Sequence, residues 1–153
     1  MKDGYVLKVL KISLLFCLIS FGNYSVLADG HQSKTLELGK PTVLITGSNR
    51  GIGLALVKNY AAYGWNVIAT CRSPSKAEDL KQLSNQYSSI SIEEMDVTDI
   101  SEIQYLAEKY KNQPIDILIN NAGILGNIEN QSFGNLDQAL FEKVMAFNAL
   151  GPL

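Results

Sequence analysis

Three glycines stand in the run Thr46-Gly47-Ser48-Asn49-Arg50-Gly51-Ile52-Gly53, directly after a short β-branched and apolar stretch, Thr42 to Ile45. Glycines placed between a strand and a helix at this spacing have a chemical use. Gly47 permits a tight turn, Gly51 lets the backbone approach a pyrophosphate with no Cβ in the way, and Gly53 lets the helix pack close to the strand. The free N–H groups of the first helical turn and its positive end then attract the phosphates. Ser48, Asn49, Arg50 and Ile52 complete the loop and are counted with the glycines as binding residues. The pattern points to a dinucleotide.

The region after the second strand narrows the ligand. Dinucleotide sites that take an unphosphorylated adenosine ribose place an Asp or Glu there to accept from the 2′-hydroxyl. Here it reads Thr70-Cys71-Arg72-Ser73, with no acid. Arg72 and Arg50 are expected to reach one point beside the ribose, and two guanidinium forks suit the oxygens of a 2′-phosphate. The expected cofactor is NADP(H) in preference to NAD(H). The missing acid also argues against an S-adenosylmethionine methyltransferase, which uses a similar Gly-rich loop.

These residues need a frame. Thr42 to Thr46 lacks polar alternation and reads as a strand buried on both faces. A helix follows over Gly51 to Tyr63, its spacing set by Ile52, Ala55, Leu56, Asn59 and Tyr60, and Gly64 ends it. Trp65 to Cys71 is a second buried strand. Ser73-Pro74 opens a helix carrying Ala77, Leu80 and Leu83. Ile90 to Met95, with Glu93 and Glu94, reads as a more polar edge strand. Thr98 is the expected N-cap of a helix over Asp99 to Tyr110, with Ile100, Ile103, Leu106 and Ala107 on one face. Ile115 to Ile119 is a fourth strand, residues 122–135 a Gly- and Asn-rich loop, and Leu136 to about Leu150 a helix with Leu140, Val144 and Phe147 on one side. Alternating strands and helices with right-handed crossovers give a parallel sheet with helices on both faces.

Four motifs in this frame, in the right order, resemble the short-chain dehydrogenase/reductase family. They are T-G-x-x-x-G-x-G at Thr46 to Gly53; Asp96-Val97 after the third strand; Asn120-Asn121-Ala122-Gly123 after the fourth; and Asn148 in Phe147-Asn148-Ala149-Leu150-Gly151-Pro152. The surrounding wording is similar to the carbonyl-reductase-like members called C-factor or sniffer proteins. The resemblance implies a Rossmann-type doubly wound α/β fold, of which this chain holds the first four strands, truncated. It implies that Asp96 and Val97 hold the adenine, that Asn121, Ala122 and Gly123 support the nicotinamide ribose side, and that Asn148 orders a water in a proton relay. It implies hydride transfer between nicotinamide and a small carbonyl or alcohol substrate, and a homo-oligomer in the intact protein. The family's acid, a Tyr in Tyr-x-x-x-Lys, is expected beyond Leu153. Tyr60, Tyr63, Tyr87, Tyr105 and Tyr110 all precede the fourth strand, and none is expected to play that part. The chain as it stands is expected to bind cofactor without catalysing the reaction. A non-catalytic nucleotide-binding or signalling module is the alternative.

Composition limits other classes. The chain has 153 residues, a net charge of -2 and 46% hydrophobic residues, so no basic surface suggests nucleic acid. The single His31 and the two cysteines, Cys17 and Cys71, cannot build a metal set, and Cys71 is expected to be a packing residue. Residues 1–28 read as a leader. Lys2, Lys8 and Lys11 precede an apolar run from Ile12 to Phe21 and a small-residue exit at Val26-Leu27-Ala28. That is the form of a secretory signal peptide cut before Asp29. The uncharged run from Ile12 to Ala28 is near the lower limit of a membrane span, so an uncleaved anchor is the alternative, with membrane contact through this segment only. The domain is then exported or membrane-anchored, or cytoplasmic if the start codon is mis-assigned. Residues 29–40 read as a linker and 41–153 as the folded part.

Overall fold

The structure, a computed structural model, describes residues 36–127, 129 and 133–153. The leader at 1–28, with Cys17, and His31 lie outside the described residues. Four strands form one parallel sheet: β1 (Thr42–Ile45), β2 (Asn66–Cys71), β3 (Ile90–Glu94) and β4 (Ile117–Ile119), in the order β3-β2-β1-β4. The register sets Thr42 beside Asn66 and Ile45 beside Ala69, with Val43 beside Ile117 on the other side. β3 lies at an edge, Val67 facing Ile90.

β1 and β2 are buried along their whole length because each of their faces packs on helices. Val43, Ile45, Val67, Ala69 and Ile90 face one core with Val57 of α1 (Gly51–Ala62) and Leu80 of α2 (Glu78–Gln86). Leu44 and Ile68 face the other, with Met95, Val97, Phe147, and Leu106 and Tyr110 of α3 (Ile100–Tyr110). The doubly wound arrangement expected from the sequence is present.

Several local expectations are corrected. The buried stripe of α1 is Gly53, Val57 and Ala61, while Ile52 is 75% exposed and Ala55 is also outside. Ser73-Pro74 opens a 3-10 turn, Pro74–Lys76, and α2 proper starts only at Glu78. The cap of α3 is Asp99, whose Oδ1 accepts the N–H groups of Ser101 (2.8 Å) and Glu102 (3.2 Å). Thr98 instead donates its N–H and hydroxyl to Asp96. A carboxylate at this position is the stronger acceptor for the helix's first amides. On α3 the buried residues are Leu106 and Tyr110, with Ile103 packed against the same core as expected, while Ile100 and Ala107 are exposed.

Within the stretch read as linker, Leu36 is buried in the second core. Asn66 fixes Glu37 from both sides, accepting its N–H at 2.9 Å and donating to its carbonyl at 2.8 Å. Residues 36–40 therefore dock on the sheet. Leu118 of β4 is 59% exposed, in contrast to the covered β1 and β2. The last helix, α4 (Gln138–Met145), is capped by Asp137 and runs into a π turn at Ala146–Leu150. π turns inside helices often sit at functional sites.

Candidate nucleotide-binding site

The C-terminal ends of β1 and β2 open onto a cavity of about 540 Å³. This is where ligands bind in open parallel sheets. Of the residues expected from the sequence, Gly47, Asn49, Arg50, Gly51, Ile52, Gly53, Arg72, Val97, Asn121, Ala122 and Gly123 line it together. Ser48, Asp96 and Asn148 do not. Six others join them: Cys71, Ser73, Lys76, Met95, Ile124 and Phe147.

The loop takes its shape from two glycines with positive φ, Gly47 (+67°) and Gly51 (+57°), a region other residues seldom enter. At Gly47 the backbone of Ala122 also presses close, and a Cβ there would stand 2.8 Å from the Ala122 Cα. A Cβ on Gly51 would meet nothing within 4 Å, so the space before it is open. Gly53 is tight for another reason. Its Cβ would fall 2.3 Å from the Gly47 carbonyl oxygen and 2.6 Å from Asn121 Nδ2. The close packing is thus against the loop and Asn121.

Ser48 is fully buried and faces inward: its N–H donates to Thr70 O at 2.8 Å and its hydroxyl to Ile45 O at 2.7 Å. It holds the loop to the strands. Thr46, which the motif alone does not mark as a site residue, joins the loop to the segment after β4. Its Oγ1 accepts the N–H groups of Asn121 (3.0 Å) and Ala122 (2.9 Å). Asn121 returns the contact by donating Nδ2 to Thr46 O (2.9 Å) and Gly47 O (3.1 Å). The signal available in the sequence was a hydroxyl residue at the end of a buried strand, which needs a partner once buried.

Asp96 opens the turn into α3. Its N–H donates to Glu102 at 2.6 Å and its Oδ1 accepts both groups of Thr98. Asn148, in the π turn, holds the backbone of Ile124 by both amide atoms: Oδ1 accepts the N–H at 2.9 Å and Nδ2 donates to the carbonyl at 2.8 Å. Gly123 passes close by, a Cβ there falling 3.1 Å from Asn148 Oδ1.

The electrostatics of the cavity are one-sided. Arg50, Arg72 and Lys76 line it, and among the described residues no carboxylate does. Among the described residues, ion pairs join Lys40 to Glu37, Lys81 to Glu78, Lys109 to Glu93 and Lys111 to Glu108, and leave these three cations out. The Arg72 guanidinium carbon lies 5.3 Å from the centre of the Phe147 ring. Burial pushes the Cys71 thiol above its ordinary pKa, partly opposed by the Ser73 backbone hydrogen bond and reinforced by the charge of Glu94. A thiol so placed is a poor nucleophile.

Tyr105 stands four residues before Lys109, the Tyr-x-x-x-Lys spacing of the resembled family, which the expectation for the tyrosines overlooked. The fold places neither residue at the cavity. Tyr105 is exposed on α3, and Lys109 Nζ is 2.7 Å from Glu93 Oε2. Among the described residues no three His, Cys, Asp or Glu gather as metal ligands.

Comparison with known proteins agrees with this geometry. The sequence model of the family described as short chain dehydrogenase matches residues 41–153. Retinol dehydrogenase 5 of Mus musculus is 34% identical over 124 residues, covering 78% of this chain and 38% of that protein. A carbonyl reductase from Pseudomonas aeruginosa PAO1, solved in complex with NADP, superposes with a TM-score of 0.69 at 29% identity, covering 73% of this chain and 51% of that one. A putative short-chain dehydrogenase/reductase from Burkholderia multivorans with bound NADP gives 0.68 at 32% identity, covering 74% and 49%. The chain spans less than half of its curated relative and about half of these structures. With the glycine loop, the strand order and the family match in agreement, this chain belongs to the short-chain dehydrogenase family.

Proposed function

We propose that this chain supplies the nucleotide-binding part of an NADP(H)-dependent oxidoreductase that moves a hydride between nicotinamide and a small carbonyl or alcohol substrate. The observation that carries the reading is the cavity at the strand ends, with an open glycine cradle, three cations and, among the described residues, no carboxylate in its lining. The residues present fit the cofactor. Backbone N–H groups of the loop between Asn49 and Gly53, at the N-terminus of α1, hold the pyrophosphate, while the Ser48 N–H is taken by Thr70 O. Arg50 and Arg72 take the 2′-phosphate, and Val97, beside Met95, offers an apolar wall to the adenine. Ala122 and Gly123, held against β1 by Thr46 and Asn121, support the nicotinamide ribose. The nicotinamide, when bound, supplies or accepts the hydride. Asn148 contributes by fixing the Ile124 backbone, since both of its amide atoms are engaged there. NADP in two of the similar solved structures supports this choice of cofactor.

In the same proposal, residues 1–28 are an export leader or membrane anchor, and the intact protein is an oligomer. N-terminal sequencing of the expressed protein tests the first, with a start at Asp29 expected for cleavage. The cofactor reading is tested by calorimetric titration of the full chain with NADPH and NADH. Joint replacement Arg50→Ala with Arg72→Ala is expected to weaken NADPH by about tenfold or more, because hydrogen bonds to charged groups are lost, and to leave NADH nearly unchanged. Equal losses for both, or a native chain that binds neither, overturn it.

A further inference from the structure

Four residues past Arg72, the same cavity receives a third cation that the motifs give no reason to expect there, Lys76. Its route is local. β2 ends at Cys71, and Pro74–Lys76 then forms a 3-10 turn, with the Lys76 N–H donating to Ser73 O at 3.0 Å and the Ala77 N–H to Pro74 O at 3.1 Å. Pro74 is buried and pins the turn to the protein. A turn of about three residues brings residue 76 back toward the side of residue 73, and Ser73 lines the cavity too.

The surrounding charges leave Lys76 available. The closest carboxylate along the chain belongs to Glu78, and Lys81 holds it: Lys81 Nζ is 2.9 Å from Glu78 Oε1 and 2.5 Å from Ser75 O. Lys76 takes part in none of the ion pairs among the described residues. Arg72 is differently placed, with its planar guanidinium over the buried Phe147 ring. That contact favours one orientation of the plane. A lysine ammonium is a compact charge on a flexible stem and adjusts to a phosphate from whichever side is left.

We propose that Lys76 is a specificity-determining residue, a direct ammonium ligand of a phosphate monoester on the adenosine ribose, shared with Arg50 and Arg72. This rests on the nucleotide reading above. A monoester carries a charge of about -1.5 to -2 at neutral pH, so a third cation gains attraction that an unphosphorylated ribose cannot return. The test is calorimetric titration of the full chain with NADP+ and NAD+, comparing wild type, Lys76→Gln and Lys76→Arg. Lys76→Gln is expected to raise the Kd for NADP+ about 5- to 10-fold, a charge-assisted contact discounted for exposure, and to change NAD+ less than about twofold. Lys76→Arg is expected to restore NADP+ binding. The melting temperature of Lys76→Gln is expected to match wild type, because the side chain is exposed and outside the ion pairs. If wild type prefers NADP+ and Lys76→Gln keeps that preference, or loses both dinucleotides equally, Lys76 has no such role. A wild-type chain silent toward both removes the nucleotide reading itself, and this assignment with it.

Discussion

Gly53→Ala is the most exacting test of how the cradle is built. Gly53 is buried in the first turn of α1, and the new methyl would stand 2.3 Å from the Gly47 carbonyl oxygen, 3.0 Å from its carbon and 2.6 Å from Asn121 Nδ2. The amide of Asn121 is a side chain and has some freedom to turn. The carbonyl is backbone and has none, because Gly47 is itself held at φ +67° with Ala122 against it. Relief has to come from moving α1 off the sheet, which loosens Val57 and Ala61. Overpacking costs about 1–3 kcal/mol, here at the upper end. Alanine's better helix propensity returns about 1 kcal/mol, leaving a net loss of about 2 kcal/mol. For a folded region of this size that is a fall in Tm of about 8 °C. Urea denaturation followed by circular dichroism reads it directly. Adding Asn121→Ala should give no rescue, since the backbone clash remains. Gly51→Asn provides the contrast: its position is open and left-handed, a conformation Asn tolerates, so it should fold far better than Gly53→Asn. A Gly53→Ala chain as stable as wild type would refute the close approach of helix and loop, and with it the account of the cradle.

The other predictions concern the groups that hold the site's walls. Thr46→Val removes the acceptor of two backbone N–H groups, at Asn121 and Ala122, and should cost about 2 kcal/mol in chemical denaturation, with Thr46→Ser close to wild type. Tyr110 is buried, and its hydroxyl donates to Glu93 Oε1 at 2.6 Å. Burial first, then that hydrogen bond, push its pKa well above the ordinary tyrosine value. The unfolded chain therefore releases this proton first. Stability from the shift is complete below about pH 10 and declines as pH rises beyond it. Wild type should lose more stability than Tyr110→Phe between pH 9 and pH 11, and parallel losses would count against the buried hydroxyl. Asn148→Ala frees the Ile124 N–H, whose hydrogen exchange should accelerate about tenfold or more while that of β1 amides stays slow; unchanged exchange would mean that Asn148 does not clamp that backbone.

What was legible in the sequence was the part governed by strong local constraints. The glycine spacing fixed the cradle because few residues adopt φ +67° or tolerate a carbonyl at 2.3 Å. Unbroken apolar runs identified β1 and β2 because both of their faces are covered. The misreadings arose where a neighbour distant in sequence decides the outcome. The spacing of α1 reads from Ile52, Ala55 and Leu56, but its buried positions are Gly53, Val57 and Ala61, and Ile52 borders the cavity, the place expected of it as a binding residue. β3 is the edge strand that its polarity suggests, but Glu93 does not face solvent there. It is in fact buried against α3, where Ser91 and Tyr110 hydroxyls and the Lys109 ammonium satisfy its oxygens.

The same logic separates the two Tyr and Lys relations on α3. Tyr105 has the sequence spacing to Lys109 but points to solvent, while Tyr110 is drawn inward by Glu93, a residue of another element. Spacing along a helix determines which residues share a side, and only the packing partner determines which side is inside. Lys76 is the converse case. Nothing in its immediate sequence marks it as a ligand, yet the buried Pro74 sets the turn and Lys81 occupies the neighbouring acid. Its place in the lining of the cavity follows from the turn that the buried Pro74 anchors, which no motif records. The charge of this site is therefore set as much by which carboxylates are already taken as by which cations are present.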